Sequence, residues 1–184
     1  MKKGTVIVIS APSGTGKTTI CNLLKPRLNK NTVFSVSATT RKPRGNEVHG
    51  KQYYFISKRE FKSKIRNNEF IEWAKVFTHY YGTLKSAVIN TINSGKNVIL
   101  TIDVQGGKNI RKLFPKTKMI FILPPSLKEL ERRLRLRHLD SDREIKIRLK
   151  IAGQEMKELV NYDYFLINDK LNNIVTKIYK LIRG

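Results

Sequence analysis

The stretch Ala11-Pro12-Ser13-Gly14-Thr15-Gly16-Lys17-Thr18 decides the fold. It follows the apolar run Thr5–Ser10 and opens the helical stretch Lys17–Leu28. A phosphate-binding loop requires that strand–loop–helix context. A run of backbone N–H groups turned inward at a helix N-terminus favours a polyanion. Gly14 and Gly16 permit backbone conformations closed to residues with a Cβ. Lys17 can reach the β and γ phosphates of a nucleoside triphosphate, and Thr18 can ligate Mg2+. The candidate phosphate-binding residues are Ser13, Gly14, Thr15, Gly16, Lys17, Thr18 and Thr19. Ala11 stands where the strict pattern begins with glycine.

Outward from the loop, the runs Val33–Ser37, Val98–Asp103, Met119–Leu123 and Tyr164–Asn168 join Thr5–Ser10 as strands. Their continuous apolar character suits a parallel sheet covered by helices on both faces. Capping boxes at Ser57–Glu60, Ser126–Glu129 and Ser141–Glu144 open helices, the last running through about Leu159. Leu84–Asn93 is amphipathic and ends at Gly95, and Asp169 caps a final helix to Ile182. The alternation argues an α/β fold. Two stretches interrupt it. Ala38–Thr83, which includes the alternating segments Gln52–Ile56 and Phe70–Phe77, reads as an insertion with its own small sheet. Leu130–Arg148 is dense in arginine, with a polar hinge at His138–Asp140, and reads as a mobile helical flap. The expected organisation is a phosphate-loop core over residues 1–37, 84–126 and 154–184, an inserted region over 38–83 and a lid over 127–153.

The 184 residues suffice for one domain with inserted subregions. Apolar runs are strand-length, far short of the roughly 20 residues of a membrane span. Cys21 is the only cysteine, which excludes an intrachain disulfide and points to a reducing compartment, the cytoplasm. The net charge of +23 admits nucleic-acid binding. Its scatter along the chain, without zinc-finger spacing, basic zipper or aromatic RNA-binding signature, instead favours a solvated surface and an arginine-lined site for small phosphorylated ligands. No specific nucleic-acid partner is expected. His49, His79 and His138 lack metal-ligand spacing and are read as non-catalytic.

A second phosphorylated substrate is legible in Ser35-Val36-Ser37-Ala38-Thr39-Thr40-Arg41-Lys42-Pro43-Arg44-Gly45-Asn46-Glu47, followed by His49-Gly50 and Tyr53. This run resembles guanylate kinases. The resemblance continues through Glu69–Ala74, Tyr80–Thr83, Ile102–Gly106 and Ile122–Ser126 and spans roughly Gly4 to Ile182. It implies transfer of the γ-phosphoryl group of ATP to GMP, and to dGMP, in purine nucleotide metabolism, with Mg2+. It assigns Arg41, Arg44, Tyr53 and Tyr81 to the GMP phosphate, a role that suits fork-shaped guanidinium donors and uncharged phenols. Base recognition falls on Glu72 and Asp103, carboxylates facing guanine N1–H and N2–H, and on the hydroxyls of Ser37 and Thr83, facing O6. Lys17, Arg41, Arg137 and Arg148 are the expected transfer residues, and Asn168 is placed near the ATP base. The chain departs from the family pattern at Thr101, where an acid is common, at Leu136 and His138, where glycines are usual, and at Arg143, a position usually acidic. Related domains also serve as noncatalytic interaction modules, which the intact Lys17 loop argues against.

Overall fold

The computed structural model describes residues 3–76, 78–137 and 140–183. In β1 (Val6–Ser10) every residue is buried, because its two faces meet different layers. Side chains alternate along a strand. Ile7 and Ile9 therefore pack against Ile20 and Leu24 of α1 (Lys17–Leu24), while Val6 and Val8 face the other way. The chain continues through β2 (Thr32–Phe34), β3 (Ser37–Thr39), β4 (Tyr53–Phe55), α2 (Lys58–Arg66), β5 (Phe70–Val76), β6 (His79–Leu84) and α3 (Lys85–Asn93). It ends with β7 (Asn97–Thr101), α4 (Val104–Leu113), β8 (Lys118–Leu123), α5 (Leu127–Arg135), α6 (Asp142–Met156), β9 (Tyr164–Ile167) and α7 (Leu171–Arg183).

Two sheets result. Five parallel strands in the order β2-β7-β1-β8-β9 form the first. One face is covered by α1 and by Ile174, Val175, Ile178 and Ile182 of α7. Val88 and Ile92 of α3 and Ile110 of α4 cover the other. The chain leads from β1 to β2 on one side and from its neighbour β7 to β8 on the other, so the C-terminal ends of β1 and β7 flank a topological switch point, where open α/β sheets take their ligands. The glycine loop lies there. The second sheet has the order β4-β3-β6-β5 and its own core, in which Phe61 of α2 stacks on Phe70 at 4.4 Å. A third cluster, Leu130, Leu134, Ile145 and Ala152, joins α5 to α6.

Several expectations shift. The run Val33–Ser37 is not one strand: β2 ends at Phe34 and Ser37 opens β3, because the chain leaves the first sheet for the second between them. α1 stops at Leu24, and a single 3-10 turn over Lys25–Arg27 with Pro26 inside it replaces the expected helical continuation. α6 likewise ends at Met156 and gives way to a 3-10 turn over Lys157–Asn161. α4 had no sequence signal, since Gly106 and Gly107 depress its helix propensity. The Asp103 carboxylate starts it by accepting from the Gly106 N–H at 2.8 Å. Ser57, Ser126 and Ser141 each cap their helices, and at Ser141 Glu144 reciprocates. Asp169 sits outside α7: it accepts from the Lys170 N–H at 2.6 Å, and the Lys170 carbonyl takes the first helical bond from Ile174. β9 is an edge strand and leaves Phe165 66% exposed, so helical cover is incomplete there. Phe77 and His138 lie outside the described residues.

Candidate active site

The loop after β1 turns on glycines at positive φ, +94° at Gly14 and +99° at Gly16, a region that residues with a Cβ rarely enter. Gly16 is also the N-cap position of α1, so the loop delivers its backbone to a helix N-terminus. Ser13, Gly14, Gly16, Lys17, Thr18 and Thr19 line a cavity of about 540 Å3. Thr15 does not. Its side chain is buried, its N–H donates to the Pro12 carbonyl at 3.1 Å, and its carbonyl accepts from the Asn168 amide at 2.7 Å. Asn168, itself buried, lines neither this cavity nor its neighbour and braces the loop from behind. Arg133 of α5 joins that brace, donating to the Asn168 carbonyl at 3.1 Å.

A second cavity of about 540 Å3 adjoins the first and carries Arg41, Arg44 and Glu47. Lys17, Thr18, Ser37, Tyr53, Tyr81 and Thr101 line both. The two sheets meet here, the first supplying Thr101 at the end of β7 and, through the loop after β1, Lys17 at the start of α1, and the second supplying Ser37, Tyr53 and Tyr81. Arg41 is buried, and its guanidinium lies 5.4 Å from the Tyr53 ring and 5.7 Å from the Phe55 ring. Its Nη1 donates to Glu47 Oε2 at 2.8 Å and to the Lys42 carbonyl at 2.7 Å, and its Nη2 donates to Glu47 Oε1 at 3.0 Å. Glu47 also accepts from the Arg44 N–H at 2.8 Å, so one carboxylate fixes both arginine positions. The Arg41 hydrogen bonds hold the Glu47 carboxyl below its ordinary range.

On the far wall, Ser37 and Thr83 hydroxyls lie 3.3 Å apart, and Thr83 donates to Glu72 Oε1 at 2.5 Å. Thr83 lines neither cavity. With its proton engaged by Glu72, it supports that carboxylate, and the Ser37 hydroxyl is the one presented to the cleft. Glu72 is buried against α4, where a Cβ on Gly106 would stand 2.5 Å from Oε2. Burial pushes the Glu72 carboxyl up to about 7; the Thr83 hydrogen bond pulls against this and the Asp103 carboxylate adds to it.

From the lid side, Arg137 lines the first cavity, and Arg148 Nη1 donates to the Ser13 hydroxyl at 2.8 Å. Asp140 accepts from Arg148 Nη2 at 2.8 Å. Glu155, near the end of α6, lines the same cavity as Lys17, Thr101 and Asp103. Burial raises its carboxyl to about 7 against the pull of Lys17. Lys17 Nζ donates to the Ile102 carbonyl at 3.1 Å, and desolvation lowers its pKa while Cys21, Asp103, Glu155 and Glu72 support the charged form. His49 and His79 line neither cavity.

Every candidate from the sequence except Thr15, Thr83, Arg148 and Asn168 therefore lines one of the two cavities, and each of those four bonds a residue that does or the loop itself. Glu47, Asp140 and Glu155 were not singled out for a role. Glu47 lay inside the quoted run, and the seven-residue spacing of Arg148 and Glu155 puts both on one helix face. Asp140 carried no signal beyond its place at the hinge.

A family model described as guanylate kinase matches residues 3–184. The guanylate kinase of Clostridium tetani is 47% identical over 182 residues, covering 99% of this chain and 86% of that protein. That of Blochmanniella floridana is 51% identical over 175 residues, covering 94% and 83%. The crystal structure of guanylate kinase from Anaplasma phagocytophilum matches with a TM-score of 0.82 at 34% identity, over 99% of this chain and 86% of that one.

Proposed function

Because the chain belongs to the guanylate kinase family, we infer that its paired cavities hold the two nucleotides that such an enzyme brings together. The protein transfers the γ-phosphoryl group of ATP to GMP, giving ADP and GDP. The observation that carries our reading of the site is the shared wall, with a phosphate loop on one side of Lys17 and the Arg41–Arg44 pair on the other.

ATP takes the first cavity, its β and γ phosphates on the loop and Lys17. GMP spans the shared wall, its phosphate in the second cavity on Arg41, Arg44, Tyr53 and Tyr81 and its base reaching past Ser37 toward Glu72 and Asp103 on the far wall of the first. A GMP phosphate oxygen attacks the γ-phosphorus as the bond to the β–γ bridging oxygen breaks, and ADP leaves with that electron pair. The acceptor is largely a dianion at neutral pH, so no base is needed to remove a proton. Lys17, Arg41, Arg137 and Arg148 neutralise the charge that spreads over the transferred group. The proposed contacts address base and phosphate, which supports dGMP as a second acceptor. Asn168 and Thr15 act by shaping the loop. We assign residues 38–83 to GMP binding and 127–153 to the lid over the rest of the core.

Among the described residues no cluster of three or more His, Cys, Asp or Glu can hold a metal alone. The hydroxyls of Thr18 and Thr101 line the cleft, hard oxygen donors that suit Mg2+ held mainly by phosphates and water. Thr18 would hold it, and bound Mg2+ neutralises charge on the β and γ phosphates. No helix among the described residues is long and apolar enough to cross a membrane. The lone Cys21 supports a cytoplasmic location. The family assignment does not favour a noncatalytic module or nucleic-acid binding as the function.

Two predictions test this site. Glu47→Gln keeps the shape but removes the charge that orients Arg41, so the GMP KM is expected to rise about tenfold with the ATP KM unchanged. Steady-state kinetics with each substrate varied in turn checks it, and an equal rise for both would remove Glu47 from the GMP side.

The second concerns pH. Guanine N1–H and N2–H need an ionised Glu72, whose carboxyl is raised to about 7. GMP affinity is therefore full above pH 7 and is lost as pH falls through it, approaching about tenfold per unit below. Stability runs the other way: the raised carboxyl contributes stability present below its unfolded pKa and lost as pH rises through 7. Calorimetric GMP titrations at several pH values, with Glu72→Gln to subtract the phosphate's own ionisation near about 6, measure the first slope.

A further inference from the structure

We propose that Glu155 is a positioning residue for phosphoryl transfer: from the last turn of α6 it lines the same cavity as Lys17 and keeps that ammonium directed into the cleft. This rests on reading Lys17 as the residue that binds the ATP phosphates.

Arg148 and Glu155 are seven residues apart on α6, about two turns, and so share one face. Arg148 bonds Ser13 at the start of the phosphate loop, and Glu155 lines the cavity that holds Lys17 at its end. One helix face thus meets both ends of the loop with opposite charges. The other carboxylates on that wall have partners: Glu72 accepts from Thr83, and Asp103 accepts from the Gly106 N–H. Glu155, which lines the same cavity, has no hydrogen-bond or ion-pair partner for its carboxylate among the described residues.

Lys17 Nζ is held by the Ile102 carbonyl, at the end of β7, which alone would keep it back against the sheet. The field of Glu155 acts on it through a partly desolvated space, where charges interact more strongly than in water. Lys17 in turn opposes the upward push that burial gives the Glu155 carboxyl, so each charge senses the other. Cys21, Asp103 and Glu72 are the other groups acting on Lys17, and none of them is on α6.

The sign of the effect is decisive. A carboxylate beside a polyphosphate site repels ATP if it does nothing else, so its removal would then tighten binding. As a positioning group it does the reverse. We expect Glu155→Gln to weaken ATP binding about tenfold and lower kcat comparably, with the GMP KM changed less than about twofold. Glu155→Asp recovers part of the loss. In a Lys17→Gln background, Glu155→Gln adds no further loss of ATP affinity, because the partner is gone.

ATP titration calorimetry of wild type, both single variants, the double variant and Glu155→Asp tests this, with kinetics on the active proteins. Unchanged or tighter ATP binding in Glu155→Gln, or an equal loss for GMP, overturns the proposal. If Glu155→Gln fails to fold, Glu155→Asp carries the test: an ATP-only loss supports the proposal, and wild-type affinity overturns it. Wild-type ATP affinity in Lys17→Gln would instead overturn the reading of Lys17 itself.

Discussion

Replacing Lys17 with methionine is expected to lower kcat about a thousandfold, roughly 4 kcal/mol of transition-state stabilisation, while the fold and GMP binding persist. Among the described residues the Lys17 ammonium makes one hydrogen bond, to the Ile102 carbonyl, and desolvation already disfavours its charge. Methionine fills similar space without that cost, so the melting temperature should hold or rise. The loss falls on catalysis because phosphoryl transfer leaves the protein little to do beyond alignment and charge neutralisation. Lys17 lies on the wall common to both cavities, where both can be served. Single-turnover kinetics at saturating ATP and GMP, with calorimetric GMP binding, separates the two contributions. A kcat within about tenfold of wild type would move the transfer site away from the loop.

The second large effect concerns which base is accepted. Guanine presents donors at N1 and N2 where adenine presents an N1 lone pair, so adenine against Glu72 leaves unpaired groups beside a buried carboxylate. Sites built on such hydrogen bonds discriminate by about 10^4, and Glu72→Gln is expected to lower kcat/KM for GMP about a hundredfold or more and narrow the GMP-over-AMP ratio similarly. The Gln carbonyl can still accept from Thr83, so the wall keeps its shape and the change is one of charge and donor pattern. Asp103 should tolerate substitution less well. Its Oδ1 caps α4, so Asp103→Ala removes a helix cap as well as a base-site carboxylate, and a fall in stability of about 1 kcal/mol should accompany the loss of activity. A chemical-denaturation midpoint measured beside the kinetics distinguishes the two contributions.

The core and the site were unequally legible, for physical reasons. β1, the loop and α1 were readable because each carries a local requirement: burial on both faces, positive φ at Gly14 and Gly16, and a helix start. The capped helices were readable because Ser57, Ser126 and Ser141 bond only a few residues away. α4 was hidden because its cap is a residue that also looked like a base-binding acid, and because Gly106 and Gly107 speak against a helix. Glycine at 106 makes sense only in three dimensions, where Glu72 from a distant strand packs against it. Thr83 was read as a direct ligand, but its pairing with Glu72 depends on β5 and β6 lying side by side. Asn168 shows the same limit, since its bond to Thr15 joins residues 153 positions apart. Residue type announced chemistry, and the sheets decided which side chains reached the cleft.

The most direct test of the central claim is ADP release measured with ATP and Mg2+ against GMP, AMP, UMP and CMP, for the wild type and Glu72→Gln. The account predicts rapid turnover with GMP alone in the wild type, and a narrowed preference in the variant. Turnover with AMP matching or exceeding that with GMP, or a GMP preference untouched by Glu72→Gln, would contradict it.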